Sequence, residues 1–225
     1  MKSNIIMDEY DIKSPVQNTT ELAFDNPIQS LTRDKTQFLT LLHSSTDPSA
    51  NSAKNFIQED FRSHYNAHIS EFMPNLVSII NKNKKVRAVV GYRGADKNNL
   101  FLEQYLDQPI ESIISDYNEF EVTRDQIVEV GNLACAANGY ARLVIIRLTE
   151  MLYNSGFRWV TFTATQSLYN SFLRLGLTPY AIAEADPARL LNSNDDWGSY
   201  YNNRPQVMFG SIEWGFNKLR NEKFL

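Results

Sequence analysis

Ile127-Val-Glu-Val-Gly-Asn-Leu-Ala-Cys-Ala-Ala-Asn-Gly-Tyr-Ala-Arg142 is the stretch whose reading decides the fold. It passes from an apolar, β-branched run into a loop of small residues and then into a helix. The strand carries one carboxylate, Glu129, among apolar neighbours. Such a group must find a partner, stay partly wet or be neutralised, because an unpaired buried charge is very costly. The loop Cys135-Ala-Ala-Asn-Gly-Tyr-Ala141 has no bulky side chain before Tyr140. Its backbone N–H groups can approach a ligand closely at the start of a helix, which is an anion site by geometry. The helix follows from spacing: Val144, Ile145, Leu148, Met151 and Leu152 fall on one face, and Asn154-Ser-Gly156 supplies the stop.

Working outward, Arg158-Trp-Val-Thr-Phe-Thr-Ala164 is a second β-rich run, Gln166 to Leu175 reads as a short helix closed by Gly176, and Leu177 to Ala183 is another strand candidate. This order of strand, loop, helix, strand, helix, glycine and strand resembles the acyl-coenzyme A-binding half of the GNAT acyltransferase superfamily. That superfamily's loop pattern is Gln/Arg-x-x-Gly-x-Gly/Ala. Ala136-Ala-Asn-Gly-Tyr-Ala141 matches it at Gly139 and Ala141 and departs from it at Ala136. Leu168 to Leu177 resembles the second motif, with Phe172 where many members keep a tyrosine that protonates the leaving thiolate.

A second resemblance covers most of the chain. Gly91-Tyr-Arg-Gly-Ala95, Leu100-Phe-Leu-Glu-Gln-Tyr-Leu-Asp107, Glu129-Val-Gly-Asn-Leu-Ala134 and Trp197-Gly-Ser-Tyr-Tyr201 are similar to the signature blocks of the bacterial thermostable hemolysin family. The pattern is also similar to that of acyl-homoserine lactone synthases, which carry a Glu on the equivalent strand and take acyl groups from acyl carrier protein. Together the resemblances imply an α+β, GNAT-like fold: a mixed, mostly antiparallel sheet splayed at the central strand and flanked by helices.

Composition bounds the alternatives. A chain of 225 residues suits one domain with an N-terminal arm: residues 1–33 are polar and aperiodic, a partly ordered arm, and 34–225 form a single GNAT-like domain. The net charge of −4, with no like-charge block beyond Lys82-Asn-Lys-Lys85, argues against nucleic acid. One cysteine, Cys135, excludes an internal disulfide and fits a reducing compartment. The first ten residues are acidic where a secretory signal is apolar, and no window approaches the ~20 apolar residues of a membrane span. The expectation is a cytoplasmic protein without a transmembrane segment.

The remaining elements are read in order. Gln37 to Leu42 is a first strand, Ser52 to about Phe72 a long helix ended by Pro74, and Asn75–Ile80 with Lys85–Tyr92 a hairpin. A short helix follows Pro109 to about Tyr117, and the central strand begins near Thr123. Asp186 to Leu191 is a short helix, Asn192 to Asn203 an aromatic-rich loop, Pro205 to Gly210 a last strand and Ser211 to Arg220 a tail helix.

Glu129 is the leading catalytic candidate. Acyl transfer to an amine needs the amine neutral, and a carboxylate in a partly dry pocket accepts its proton, burial raising the pKa toward the useful range. The plainer reading pairs Glu129 with Arg93 or Arg124 to fix the fold. Asn132 supplies a side-chain donor or bonds a neighbouring strand. Leu133 and Ala134 offer backbone groups to a pantetheine arm, Leu133 an N–H to the developing oxyanion, where one donor is worth ~2.7–4 kcal/mol. Cys135 and Asn138 complete the binding stretch, and Gly139, Tyr140 and Ala141 present N–H groups to a phosphate; the bland alternative is a helix entry with no ligand. Tyr65, Arg93, Glu103, Trp197 and Tyr200 are the candidates for the acceptor pocket, or aromatics that close the sheet's open end.

Cys135 as a nucleophile lacks a nearby His, and small buried cysteines pack. His64 and His68 have the i, i+4 spacing of a zinc pair, but Tyr65 stands where a metalloprotease has Glu, so no metal is expected. The function expected is an N-acyltransferase moving an acyl group from acyl-CoA or acyl-ACP to a small amine such as an amino acid, giving an N-acyl amino acid. The alternatives are a membrane-active hemolysin, which predicts lipid binding with no thioester, and a non-catalytic GNAT-like binding module.

Overall fold

The computed structural model describes residues 38–190 and 195–225. The N-terminal arm, Gln37 of the first expected strand and residues 191–194 lie outside the described residues. The elements run β1 (Leu39–Ser44), α1 (Asn51–Tyr65), β2 (Asn75–Ile80), β3 (Val86–Gly94), α2 (Ile110–Asn118), β4 (Ile127–Cys135), α3 (Asn138–Asn154), β5 (Trp159–Ala164), α4 (Gln166–Leu173), β6 (Tyr180–Glu184), β7 (Gln206–Ser211) and α5 (Ile212–Asn221). Short 3-10 turns at Phe101–Tyr105 and Arg124–Gln126 lead into α2 and β4, so β4 starts later than the sequence suggests.

The seven strands form one sheet in the order β1-β2-β3-β4-β5-β7-β6. Every pairing is antiparallel except β4 with β5. That parallel pair spans only Ile127–Val130 against Trp159–Phe162, while β4 stays paired with β3 as far as Cys135. Beyond Val130 the β5 side of β4 therefore has no strand partner among the described residues. The sheet opens there, as the splayed GNAT-like architecture requires.

A bulge sets which side chains enter the opening. The β3–β4 register shifts by one residue between Val89 and Gly91, and Asn132 opposite adopts φ 51°, a left-handed conformation that asparagine tolerates. One extra residue swaps the faces of everything after it. Before the bulge, Ile127 packs with Leu102 and Ile110; after it, Ala134 packs under α1, and Leu133 and Cys135 lie against the α3 side. Gly91 and Gly131 admit the neighbouring segment, since a Cβ on either would lie 2.6 Å from an atom of Met73.

The face of α3 read from the sequence is buried: Val144, Leu148, Met151 and Leu152 pack on Val128 and Val90, and Ile145 meets Leu175 and Leu177 toward α4. The first helix is shorter than its periodicity suggests. It stops at Tyr65 because Asn66 turns left-handed at φ 53° and its N–H returns to Arg62 and Phe61. Residues 66–74 then cross the sheet in extended form, bridged to the later loop by His68 and Asp196. Ile69 is buried by that extended segment, not by a helix. No helix among the described residues is long and apolar enough to cross a membrane.

Candidate active site

Glu129 sits where β4 is still paired on both sides, one residue before the opening. It is 2% exposed. Its cross-strand neighbour is Arg93 on β3, whose Nε lies 3.1 Å from Oε2. The other donors come from the 3-10 turn Phe101–Tyr105, whose first N–H groups have no partner within the turn. Phe101 donates its N–H to Oε2 at 2.9 Å and Leu102 donates to Oε1 at 2.9 Å. Burial pushes the Glu129 carboxyl above the usual range, and Arg93 with the two N–H groups opposes this without cancelling it.

The opening continues from Glu129 as a cleft of about 2240 Å3 that merges with grooves along α4 and α5. Arg93, Tyr65, Trp197 and Tyr200 line it together with Glu129, Asn132 and Leu133. The aromatics form one wall: Tyr65 and Tyr200 meet edge to face at 5.2 Å, Trp197 and Tyr200 are 5.6 Å apart, and Phe101 and Trp197 5.9 Å. Burial, then Tyr65 and Tyr201, push the Tyr200 phenol up. Tyr105 and Tyr201 share a hydroxyl–hydroxyl bond of 2.6 Å on the same wall.

Glu103 is placed differently from its sequence reading. Glu103 does not line the cleft; it accepts from Leu100 N–H at 2.7 Å and Ile110 N–H at 3.1 Å and is gripped by Arg124 at 2.8 Å. Its carboxylate ties the 3-10 turn to α2, a structural task outside the acceptor pocket. The Asn132 side chain is occupied by the crossing segment, accepting from Met73 N–H at 2.8 Å and donating to Glu71 C=O at 3.4 Å. Asn132 thus bonds the segment that precedes β2 and not a strand. The thiol of Cys135 is pushed up to about 12 by burial and by Asp60, so it is protonated at neutral pH and is a poor nucleophile.

The loop after β4 enters α3 through Ala137 at φ −164°, with no side chain capping the helix. Ala136 N–H donates to Arg87 C=O at 2.9 Å, which anchors the loop to β3. A Cβ on Gly139 would meet nothing within 4 Å, so open space lies beside the loop. Arg87 donates to the Tyr140 hydroxyl at 3.0 Å, and its guanidinium lies 5.0 Å from the ring centroid. Ala141 lines the cleft, and Ala134 is buried under α1. His64 turns to Asp60 and His68 to Asp196, at 3.5 and 3.8 Å, on different carboxylates.

Sequence reasoning missed Asp60, Phe101 and Met73, which also line the cleft. Asp60 is an acid on the face of α1 next to buried Phe61, four residues before His64. An acid beside a helix's apolar stripe was the available signal.

Among solved structures, FeeM, an N-acyl amino acid synthase from uncultured soil microbes, is similar at 10% identity and a TM-score of 0.55, covering 84% of this chain and 98% of that one. The AHL synthase LasI is similar at 8% identity and a TM-score of 0.51, covering 79% of this chain and 91% of that one. These likenesses establish the GNAT-like fold. A comparison with curated proteins finds no match. The profile of the thermostable hemolysin family matches residues 43–216, a span that takes in both the cleft and the strands that open it, and the chain belongs to that family.

Proposed function

We propose that the protein is an N-acyltransferase that moves an acyl group from an acyl thioester, acyl-ACP or acyl-CoA, directly to a small amine such as an amino acid. The observation that carries this reading is the opening of β4 from β5 after Val130, with a raised-pKa carboxylate at its vertex and a small-residue helix entry at its far end. Two proteins of this fold are named as an N-acyl amino acid synthase and an AHL synthase, which supports the same class of chemistry. The acceptor amine enters along the aromatic wall beside Arg93 and Glu129. Its nitrogen attacks the thioester carbonyl, Glu129 accepts the proton it sheds, and the Leu133 N–H bonds the oxyanion. The donor arm runs past Ala134 and Cys135, and its phosphate rests on the N–H groups of Gly139 and Ala141, the Tyr140 N–H being turned to the Ala137 carbonyl at 3.0 Å. Thioester donors of this kind set the reaction in the cytoplasm.

The test is direct. Purified protein is incubated with acyl-CoA or acyl-ACP and a mixture of amino acids, and amide products are read by mass spectrometry. A new N-acyl product made by the wild type, and lost in Glu129→Gln, is the expected result; no amide from either donor overturns the reading. One observation favours a second reading, a binding module: both oxygens of Glu129 already hold donors, three in all. On that reading Glu129→Gln lowers stability and leaves any measured turnover unchanged.

A further inference from the structure

Phe172 stacks on Phe162 at 4.9 Å and 11°, so the position where a tyrosine would protonate the leaving sulfur carries no proton. The reaction proposed above has two ends that one group cannot serve. Glu129 and Cys135 pair with Arg93 and Ala88, five residues or ~17 Å apart on β3, and the acyl carbonyl lies between them near Leu133, so Glu129 takes the amine proton through water. Because the donor's phosphate end points to α3, its sulfur lies on the Cys135 side. Asp60 lies on that side. It reaches over β4 from α1, with the Cys135 backbone N–H directed at it, and lines the same cleft. Its side chain is 15% exposed, while the adjoining His64, with Nδ1 at 3.5 Å from Oδ1, is 61% exposed.

We propose that Asp60 is the acid that protonates the departing thiolate; this rests on the acyltransferase reading. The amine lone pair forms the C–N bond and the amine proton passes to Glu129. The C–S bond breaks with its electron pair on sulfur, and the Asp60 carboxyl proton moves to that sulfur. Amide and free thiol result, and Asp60, now a carboxylate, takes its proton back from water. Burial supports the assignment by raising the Asp60 carboxyl, opposed by His64 and the Cys135 N–H. The groups facing it are His64 and Tyr65 from α1 and Cys135 from β4, with Glu71, Asp195 and Tyr200 on the neighbouring walls.

The experiment varies the leaving group. Wild type, Asp60→Asn and Glu129→Gln are assayed with decanoyl-CoA and with the decanoyl thioester of 4-nitrothiophenol, whose thiolate leaves without a proton, using an amino acid mixture as acceptor. Asp60→Asn is expected to lose ~10²-fold or more in kcat/KM with decanoyl-CoA and to match the wild type with the aryl thioester. Glu129→Gln, acting on the amine, should be deficient with both. The wild-type rate should also fall on the alkaline side, as Asp60 loses the proton it must donate, and Asp60→Asn should lack that limb. Equal losses of Asp60→Asn with both donors, or no loss with either, would overturn the assignment. A wild type that makes no amide from either donor overturns the transferase reading and this assignment with it.

Discussion

Glu103 and Glu129 are two carboxylates with nearly the same partners and opposite fates. Each accepts two backbone N–H bonds around the same 3-10 turn, and each faces an arginine. Glu103 meets two nitrogens of Arg124, Nη1 at 2.8 Å and Nη2 at 3.1 Å, whereas Glu129 meets Arg93 through Nε alone. The Glu103 side chain keeps 12% of its surface and that of Glu129 3%. Burial raises both carboxyls. For Glu103 the Arg124 bonds and the N–H groups outweigh it and the net shift is down; for Glu129 burial wins. Counting donors does not decide a buried acid's charge. The fork geometry of the arginine and the last contact with water do. The well-satisfied carboxylate is scaffolding, and the one left out of balance is at the vertex of the cleft.

The sharpest way to break this contrast is Glu129→Gln. As a base, its loss should cost 10²–10⁴-fold in turnover, roughly 3–5 kcal/mol of barrier, with only a modest shift in urea midpoint. Turnover within experimental error of wild type at every pH would make Glu129 a second Glu103. Next is Arg124→Met, which strips Glu103 and Glu111 of their shared cation and also loses bonds to the carbonyls of Ala95 and Asn98. Leaving partly buried carboxylates unpaired should lower stability by about 3 kcal/mol, read by urea denaturation, while protein that remains folded keeps its activity. An Arg124→Met protein as stable as wild type would show that the network holds nothing together.

The pH dependence separates the two acids more gently. Glu103, whose folded pKa is lowered, contributes stability that is present above its unfolded pKa near ~4.3 and is lost as pH falls through the folded value. Glu129, with a raised folded pKa, contributes stability that is complete below ~4.3 and is lost as pH rises through the folded value. The stability gap between wild type and Glu103→Gln should therefore narrow on acidification, and that for Glu129→Gln should shift against the wild type as pH rises. Slopes of the same sign for both variants would mean that burial does not distinguish them.

Much of the fold was legible because it rests on local signals. β2 falls on Asn75–Ile80 as read, and the apolar spacing of α3 names residues that are buried. The splay followed from the order of elements around Glu129, with Gly176 adopting φ 71° at the predicted helix stop. What was not legible depends on contacts between distant segments. The end of α1 is set by Asn66, whose left-handed turn lets residues 68–70 bond Asp195 and Asp196. A hydrophobic period that continues to Ile69 cannot reveal that. Glu103 and Glu129 lie in similar apolar contexts, and nothing in either block says which faces the cleft, since that depends on the meeting of the turn 101–105 with α2 and β4. Asp60 carries no motif at all; its meaning appears only when α1 lies over the end of β4.

The smallest expected effect on activity is at Cys135, the second ionisable group along β4, and it sharpens the same lesson. Its thiol is raised to about 12 chiefly by burial and further by the Asp60 charge. At pH 8 the thiolate fraction is then on the order of 10⁻⁴, against roughly a quarter for a free cysteine of pKa ~8.5. Native protein should react with iodoacetamide about 10³-fold more slowly than protein unfolded in urea, by thiolate fraction alone. Cys135→Ala should leave acyl transfer close to wild type, because only the backbone of this residue faces the donor arm. Above the pH at which Asp60 gives up its proton, Asp60→Asn removes the neighbouring charge, so the alkylation rate at Cys135 should rise there, though it stays well below the unfolded rate because burial remains. An unchanged rate in that variant would separate Asp60 from the end of β4, and with it remove the geometric basis for Asp60 reaching the donor's sulfur.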